Sequence, residues 1–397
     1  RDLLLGRRNL DIDFVVEGDA ISFADSLCAR YGGDVSSFRP FGTAKWRLTD
    51  EVTKALELAS RSLPDHIDFA TARNEFYEHP TALPTVYSGS IKLDLGRRDF
   101  TLNTLAVQLS PKALKGRIID YYGGLRDLRG GLIRALHSLS FVDDPTRILR
   151  AVRFECRLGF TIEPRTAELI HTALPMLGRI TGERVRNELT LMLRERNPAQ
   201  TLLLLQERGI LRAIHPALVV HESIVSQFER ANAGEHFVPV EDVTSLYWHI
   251  IATHIAPASL VEVCERLRFP RPQIESMVKA VKLLQQAETL ENPALPPSAI
   301  VEQLDGIPDL ALLTVWIMFE NLFVQKRIQQ YATEWRYVRA ATDGHTLHQM
   351  GLKPGPCYGR LLHRLRAARL DDEVKDDGEE TALLHRLVEE GFCNDSA

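Results

Sequence analysis

The chain has 397 residues, about two or three times the length of a typical domain, which excludes a fold built on one small core. Hydrophobic residues make up 45% and charged residues 25%, and this composition excludes general disorder. The net charge of −5 excludes a uniformly basic nucleic-acid-binding surface, so any contact with RNA must come from local patches.

The five cysteines are scattered along the chain and form no CxxC pair. This pattern favours a reducing compartment and argues against both a disulfide framework and a structural zinc site. No signal peptide is visible, and the longest apolar run, Leu310–Phe319, is about half as long as a bilayer requires. We therefore expect a cytoplasmic protein without membrane contact. Because the chain begins at Arg1 without an initiator Met, we also expect it to be an excerpt of a longer reading frame.

The predicted elements change in character near residue 135. Strands and helices alternate before it, and almost every segment after it has helical periodicity. The predicted strands are Asp11–Val16, Ala44–Thr49, His66–Ala70 and Ile118–Asp120. The predicted helices are Ile21–Tyr31, Asp99–Leu109, Arg147–Leu158, Ala167–Leu177, Arg184–Arg194, Ala199–Arg208, Leu260–Leu267, Gln273–Leu284, Leu310–Gln325 and Tyr358–Leu370. This order predicts an α+β fold with a helical extension, and not a parallel βαβ sheet.

The first predicted strand carries two aspartates that point the same way. Side chains alternate along a strand, so Asp11 and Asp13 share one face while Ile12 and Phe14 lie on the other. Two adjacent carboxylates suit an oxygen-ligated divalent cation such as Mg²⁺. Asp68 would complete such a site if its strand lies beside the first. The alternative for all three aspartates is a solvated position on the strand surface.

The segment from Arg97 to Asn103 is the next candidate. If it forms the predicted helix, Asp99 and Asn103 lie one turn apart and could hold the hydroxyls of a ribose. Arg98, at the helix entrance, would then meet a phosphate. The alternative is that Asp99 caps the helix and that the arginines are solvated.

A row of arginines follows Asp144 and Pro145. An aspartate followed by proline is a standard N-cap with proline at the first helical position. At about 100° per residue, the arginines of this helix fall within an arc of roughly 120°; they are Arg147, Arg150, Arg153 and Arg157. Four like charges on one stripe repel each other unless an anion lies over them. A triphosphate, an acidic partner surface and plain solvation remain the alternatives.

A last basic patch lies near the end of the chain. Gly351–Leu370 contains no acidic residue, and its lysine and arginines are Lys353, Arg360, Arg364, Arg366 and Arg369. The following segment, Asp371–Glu380, carries seven carboxylates against one lysine. Either the basic half binds an RNA backbone, or it is a helix face exposed to solvent.

Taken in order, these segments resemble the motifs of the bacterial-type (class II) tRNA nucleotidyltransferase and poly(A) polymerase family. Members carry GGxVRD followed by DxD, then RRDFTxNA, a D…GGxxDL segment and EDPxRxLRAxRF. The matching segments are Arg1-Asp2 with Asp11–Asp13, Arg97–Thr104, Asp120–Leu128, Asp143–Phe154 and, for the helix that follows, Thr181–Arg184. The chain departs from the motifs in lacking the glycine pair before Arg1, in having Asp143 where glutamate is usual, and in having Thr104 where alanine is usual.

The resemblance implies a polymerase-β-like nucleotidyltransferase palm followed by an all-α neck, body and tail. The implied parts are a head at residues 1–134, truncated at its N-terminus, a base-recognising neck at 135–198, a body at 199–335 and an RNA-binding tail at 336–397. It also implies that Asp11 and Asp13 are catalytic and hold two Mg²⁺ ions. Nucleotide binding is implied for Arg1, Arg98, Asp144, Arg147, Arg150 and Arg153.

The implied reaction is template-independent addition of CMP and/or AMP, from CTP and ATP, to the 3′ end of tRNA, with release of pyrophosphate. Asp144 and Arg147 would read the base, because cytosine and adenine both present an amino donor beside a ring-nitrogen acceptor. Uracil and guanine present a carbonyl and an N–H there, which leaves the two buried charges facing the wrong partners. The alternatives are CC-only, A-only or poly(A) synthesis within the family, or a catalytically silent RNA-binding scaffold. The sequence does not predict an oligomeric state.

Overall fold

The structure is a computed structural model, and it describes residues 1–7, 12–56, 64–76, 85–234 and 236–392. Two compact units divide the chain. The first consists of Arg1–Asn197 and Arg208–Ile214, and the second of Pro198–Glu207 and His215–Ala397.

The described elements follow the predicted change from mixed to helical structure. The strands are β1 (Asp13–Val16), β2 (Asp34–Phe38), β3 (Thr43–Arg47), β4 (His66–Thr71), β5 (Arg73–Phe76), β6 (Thr85–Ser88), β7 (Ala106–Val107), β8 (Ile118–Ile119), β9 (Leu132–Ile133) and β10 (Thr161–Ile162). The helices of the first unit are α1 (Ala20–Tyr31), α2 (Asp50–Ala55), α3 (Ile91–Gly96), α4 (Gly124–Arg129), α5 (Ser140–Asp143), α6 (Thr146–Leu158), α7 (Pro164–Ala173), α8 (Gly182–Leu193) and α10 (Ile210–Ile214). Those of the second unit are α9 (Pro198–Glu207), α11 (Ile224–Asn232), α12 (Val243–Thr253), α13 (Pro257–Arg266), α14 (Arg271–Gln286), α15 (Pro297–Leu304), α16 (Asp309–Met318), α17 (Leu322–Thr333), α18 (Gly344–Gln349), α19 (Pro356–Leu370) and α20 (Asp377–Glu389).

A four-stranded sheet forms the base of the first unit. Its strand order is β1-β4-β3-β2, with β1 parallel to β4 and the other neighbours antiparallel. One face is apolar, because Ala44, Trp46 and Phe69 alternate inward and pack with residues of α1 and α2. The other face carries polar side chains such as Lys45 and Asp68, which leaves it open for binding. This mixed sheet, with helices following it, confirms the predicted α+β class.

The arginine-bearing helix α6 anchors the rest of the first unit. Its apolar side, which includes Ile148, Leu149 and Val152, is fully buried, and the helix packs against α8. The predicted helix Arg147–Leu158 is therefore confirmed to within one residue at its start.

The regular elements described in the second unit are all helices, and apolar clusters join several of them. One cluster joins α14, α15, α16 and α17 through residues such as Leu312 and Ile328. Another joins α18, α19 and α20 through residues such as Leu365 and Leu384. Each of these helices turns one apolar side into such a cluster, and this accounts for the helical periodicity of the sequence.

Two predicted helices are wrong in extent. Asp99–Leu109 forms only a 3₁₀ turn at Thr101–Asn103 before strand β7. Phe100 makes a β-bridge with Ala135, and the Thr101 N–H donates to the Arg134 carbonyl, so backbone groups that a helix needs are used elsewhere. Leu310–Gln325 is interrupted between α16 and α17, because the Asn321 side chain accepts the Phe323 N–H and starts a new helix.

Two observations bear on the expected compartment. Among the described residues, no helix combines the length and apolar character that crossing a bilayer requires. Cys28 and Cys264 are free thiols, whereas Cys357 is disulfide-bonded, which the cysteine pattern did not predict.

Candidate active site

A polar row crosses the open face of the sheet. Asp13 in β1 lies beside Asp68 in β4, Asp68 lies beside Lys45 in β3, and Lys45 lies beside Ser36 in β2. All four line one open cleft of about 530 Å³. The predicted neighbourhood of Asp13 and Asp68 is therefore confirmed by the strand register.

The described part of this row suits a divalent cation in its chemistry. Asp13 and Asp68 supply hard carboxylate oxygens from adjacent strands. Asp68 currently lies 3.6 Å from the Lys45 Nζ and 3.3 Å from the His66 Nε2. The described residues alone form no group of three or more metal-ligating side chains. Asp11, the other predicted ligand, lies outside them.

Arg98 lines the same cleft as Asp13. The cleft also includes Asp94 and Arg97. The fully buried Asp94 accepts hydrogen bonds from the Arg97 guanidinium, at 2.8 and 3.1 Å, and lies 3.7 Å from that of Arg98. Arg98 also donates to the Asn103 carbonyl at 3.4 Å. The structure thus brings a predicted phosphate ligand to the edge of the predicted metal site.

Asp99 and Asn103 connect the next two predicted arginines. The Asn103 amide donates to the Asp99 carboxylate at 2.8 Å, and its oxygen accepts from Arg1 at 2.6 Å. The other Asp99 oxygen accepts two hydrogen bonds from Arg150, at 2.7 and 2.8 Å. Burial alone would raise the pKa of Asp99, but the Arg150 charge and these hydrogen bonds hold it below its ordinary value.

The arginine row of α6 faces the protein's own carboxylates. Glu188 of α8 lies 3.3 Å from the Arg153 Nε and 3.7 Å from an Arg150 nitrogen. Arg147 instead donates to the Ser140 hydroxyl and the Arg97 carbonyl, each at 2.7 Å. Internal partners therefore already relieve part of the repulsion that the sequence analysis attributed to an external anion or to solvation.

Asp144 caps α6 through one oxygen. Its Oδ1 accepts from the Thr146 N–H at 3.1 Å, from the Thr146 hydroxyl at 2.6 Å and from the Arg184 guanidinium at 2.9 Å. No residue that the structure describes donates a hydrogen bond to its Oδ2. The predicted capping role is therefore confirmed, and one carboxylate oxygen stays available as an acceptor.

Sequence reasoning missed Glu188 and Lys45. Glu188 lies four residues after Arg184, so helical spacing alone places the two on one face of α8. Lys45 alternates with the buried Ala44 and Trp46, which places it on the polar face of β3. The helical spacing and the strand alternation are both visible in the sequence, but neither indicates which charged group Glu188 or Lys45 will contact.

The basic patch of the tail is largely neutralised inside the second unit. Arg364 pairs with Glu373 at 2.7 Å, and Arg366 pairs with Asp305 at 2.6 Å. Arg369 contacts Asp377 and Glu380. Three of the five predicted RNA-binding cations thus have carboxylate partners, and Lys353 and Arg360 lie exposed.

Two family models match separate parts of the chain. The model described as "Poly A polymerase head domain" matches residues 1–134. The model described as "Probable RNA and SrmB- binding site of polymerase A" matches residues 159–221. The polar sheet face and the first arginine motif both fall within the first match.

Curated relatives extend the match over nearly the whole chain. An A-adding tRNA nucleotidyltransferase of Halalkalibacterium halodurans is 30% identical over 95% of this chain and 84% of its own length. The chain belongs to the tRNA nucleotidyltransferase and poly(A) polymerase family. An A-adding enzyme of Geobacter sulfurreducens is 35% identical over 98% of this chain, which spans only 44% of that relative. A CC-adding enzyme of Synechocystis sp. is 25% identical over 98% of this chain and 91% of its own length.

Solved structures of this tRNA nucleotidyltransferase family share the fold. An apo form of a CCA-adding enzyme superposes with a TM-score of 0.77 at 31% identity, covering 97% of this chain and 89% of the other. The Thermotoga maritima CCA-adding enzyme complexed with tRNA_CCA gives a TM-score of 0.71 at 30% identity, covering 98% and 89%. Nucleotidyltransferases of this family generally need a divalent metal ion, which agrees with the carboxylate chemistry of Asp13 and Asp68.

Proposed function

We propose that this chain adds CMP and/or AMP to the 3′ end of tRNA, using CTP and ATP and releasing pyrophosphate. The observation that carries the proposal is the shared cleft, which is lined both by the adjacent carboxylates Asp13 and Asp68 and by Arg98. Carboxylates for a metal beside cations for phosphates are what phosphoryl transfer requires. The A-adding, CC-adding and CCA-adding relatives support tRNA as the acceptor.

Asp11 and Asp13, joined by Asp68, would hold Mg²⁺, for which carboxylate oxygens are suitable ligands. When bound, Mg²⁺ supplies positive charge at the reacting phosphates and lowers the pKa of the attacking hydroxyl. The RNA 3′-hydroxyl attacks the α-phosphate in line, the bond to the β-phosphate breaks, and pyrophosphate leaves.

The remaining phosphates would be held by Arg1, Arg98, Arg150 and Arg153. Guanidinium groups suit this role because their planar donors match phosphate oxygens in pairs. In the structure Arg1 donates hydrogen bonds to Asp2 and Asn103, and Arg150 donates to Asp99. Arg98 donates to the Asn103 carbonyl, and Arg153 forms an ion pair with Glu188. A nucleotide would therefore enter a cluster that is already ordered, so little side-chain entropy would be lost on binding.

Asp144 and Arg147 would read the base. The Asp144 Oδ2 is an acceptor for an exocyclic amino group, and Arg147 still has N–H donors beyond the two that bond Ser140 and Arg97. Cytosine and adenine fit this pair of an acceptor and a donor. With uracil or guanine, a base carbonyl would face the carboxylate acceptor and a base N–H would face the guanidinium donor. A buried site rejects such a mismatch strongly.

The division into parts is also a proposal. We assign residues 1–134 to a nucleotidyltransferase head, 135–198 to a neck that contains the base-reading pair, 199–335 to a body and 336–397 to a tail that contacts RNA. The cytoplasm is the proposed location, because the family's substrate is tRNA and the relatives are tRNA-processing enzymes.

The choice between CC, A, CCA and poly(A) addition is tested by offering tRNA that ends at the discriminator base, at C or at CC. Each nucleotide is supplied singly and in pairs. The A-adding relatives favour incorporation of AMP on tRNA ending in CC. Incorporation of CMP on the shorter tRNAs would instead assign CC or CCA addition. Binding of tRNA without any incorporation would overturn the enzymatic proposal in favour of an RNA-binding scaffold.

A separate prediction concerns the exposed cations of the tail. Because Lys353 and Arg360 are exposed, replacing both with alanine should weaken tRNA affinity and reduce its log–log salt slope by up to about 0.9 per lost phosphate contact. The rate at saturating tRNA should change little.

The matched variant is Arg366→Ala, which removes a pair to Asp305 and a hydrogen bond to the Val338 carbonyl. It should lower the free energy of unfolding by about 1 kcal/mol with a smaller effect on the salt slope. Unchanged affinity and slope in the Lys353 and Arg360 double variant would show that this face does not contact RNA.

A further inference from the structure

Three of the proposed phosphate-binding arginines meet around one aromatic ring. The guanidinium carbons of Arg1, Arg150 and Arg153 lie 4.9, 5.5 and 5.6 Å from the centre of the Phe154 ring. Phe154 is the last residue of the arginine motif in α6, and only 4% of it is exposed. Arg1 reaches it from the other end of the unit's sequence, so the ring joins segments that are distant in the chain.

The ring differs from the other partners of these arginines because it does not use their N–H donors. Arg1 donates two hydrogen bonds to Asp2 and one to Asn103, and Arg150 donates two to Asp99. A phenyl ring attracts a cation through its quadrupole and takes up no carboxylate-type hydrogen bond. The guanidinium groups are thereby held in place while further N–H donors stay available for phosphate oxygens.

The ring also helps to explain how three like charges can lie close together. Burial lowers the pKa of Arg153, and the nearby charge of Arg150 acts in the same direction, opposed by Glu188. Three guanidinium groups so close together repel one another. The electron-rich face of a ring attracts these cations without adding a negative charge to the three carboxylates already paired with them. A further carboxylate in place of the ring would make the group net negative and would repel an anion.

We propose that Phe154 is a positioning residue for the polyphosphate of the nucleotide, holding Arg1, Arg150 and Arg153 as one preorganised anion site. The inference rests on the proposed function and adds a residue to it. Because the three arginines would contact phosphates and not the base, the effect of Phe154 on nucleotide affinity is the same for CTP and ATP.

The test compares Phe154→Leu with Phe100→Leu. Phe100 is fully buried and packs edge-on against Phe154, with ring centres 5.9 Å apart. Its replacement by leucine therefore removes the same atoms from the neighbouring ring. Isothermal titration with inorganic pyrophosphate and tripolyphosphate measures the anion site directly. Steady-state kinetics give KM and kcat for CTP and ATP, and thermal unfolding checks that the variants are compared in the folded state.

We expect Phe154→Leu to weaken binding of both anions and to raise KM for both nucleotides by about tenfold, with kcat and tRNA affinity within about twofold. Phe154→Tyr keeps the ring and should retain most of the affinity, and Phe100→Leu should retain it as well. If Phe154→Leu fails to fold, Phe154→Met, which fills the space with a flexible apolar chain, provides the same comparison with Phe154→Tyr.

Equal losses of anion affinity in the Phe154 and Phe100 variants would overturn the inference, since a general packing defect would then explain both. An affinity for pyrophosphate in Phe154→Tyr as low as in Phe154→Leu would also overturn it. If the wild type and the variants bind pyrophosphate with the expected differences in affinity but the wild type incorporates no nucleotide, the anion site would be supported and the proposed function contradicted.

Discussion

Replacing Asp13 with alanine should abolish nucleotide addition, by about three orders of magnitude or more, while tRNA binding stays nearly unchanged. Asp13 lies next to Asp68 on the open face of the sheet, and the substitution removes a proposed ligand of the metal ion. In the proposed division of the chain, the helical parts hold most of the RNA, so its affinity should not depend on this carboxylate. Incorporation of labelled CMP and AMP and a filter-binding assay with tRNA measure the two effects.

The matched control is Asp34→Ala. Asp34 is an exposed aspartate of β2 on the same face, opposite Arg47 and away from Asp13. It should keep its activity. Asp11→Ala should behave like Asp13→Ala. Substantial incorporation by the Asp13 variant would contradict the assignment of the metal ligands, and loss of activity in the Asp34 variant would point to a general effect of charge on the sheet.

Asp144→Asn should change which nucleotide is used without unfolding the helix start. The Thr146 N–H and the Arg184 guanidinium both donate to Oδ1, so the amide oxygen of the new side chain will take that position. Its NH₂ group is then forced into the place of Oδ2, where it can donate to a carbonyl. A lost or mispaired charge-assisted hydrogen bond is worth roughly 1.5–3 kcal/mol. Selectivity for CTP and ATP over UTP and GTP should therefore fall about ten- to a hundredfold.

A second helix cap supplies the control for this substitution. Asp343 caps α18 by accepting from the N–H and hydroxyl of Thr346, three residues on, as Asp144 accepts from both groups of Thr146, two residues on. Asparagine caps a helix about as well as aspartate, so Asp343→Asn should leave both stability and nucleotide choice unchanged. Incorporation of all four nucleotides is measured for each variant at matched stability. An unchanged preference in Asp144→Asn would leave Asp144 as a helix cap only.

Arg147→Ala is a less specific test of base reading. Arg147 is only 7% exposed and donates to Ser140 and to the Arg97 carbonyl. Its removal should therefore reduce stability as well as selectivity, because the buried Ser140 hydroxyl and the part-buried Arg97 carbonyl lose a donor.

The periodic parts of this protein could be predicted from the sequence. Alternation of polar and apolar residues identified the strands that carry Asp13 and Asp68, and helical spacing identified α6 with its arginine row. Both patterns depend only on which residues are close in sequence, because a strand or a helix positions its side chains by its own geometry. The ordered motifs also identified the family before any partner of these residues was known.

The tertiary structure decided what each charge contacts. Whether Asp68 meets Asp13 depends on the order and register of β1 and β4, which no local pattern specifies. The predicted helix at Asp99–Leu109 failed because Phe100 pairs with the distant Ala135. Arg150, Arg366 and Phe154 likewise find their partners 51, 61 and 153 residues away along the chain. Periodicity gives the face on which a residue lies, whereas ion pairs and cation–aromatic contacts form between faces that only folding brings together.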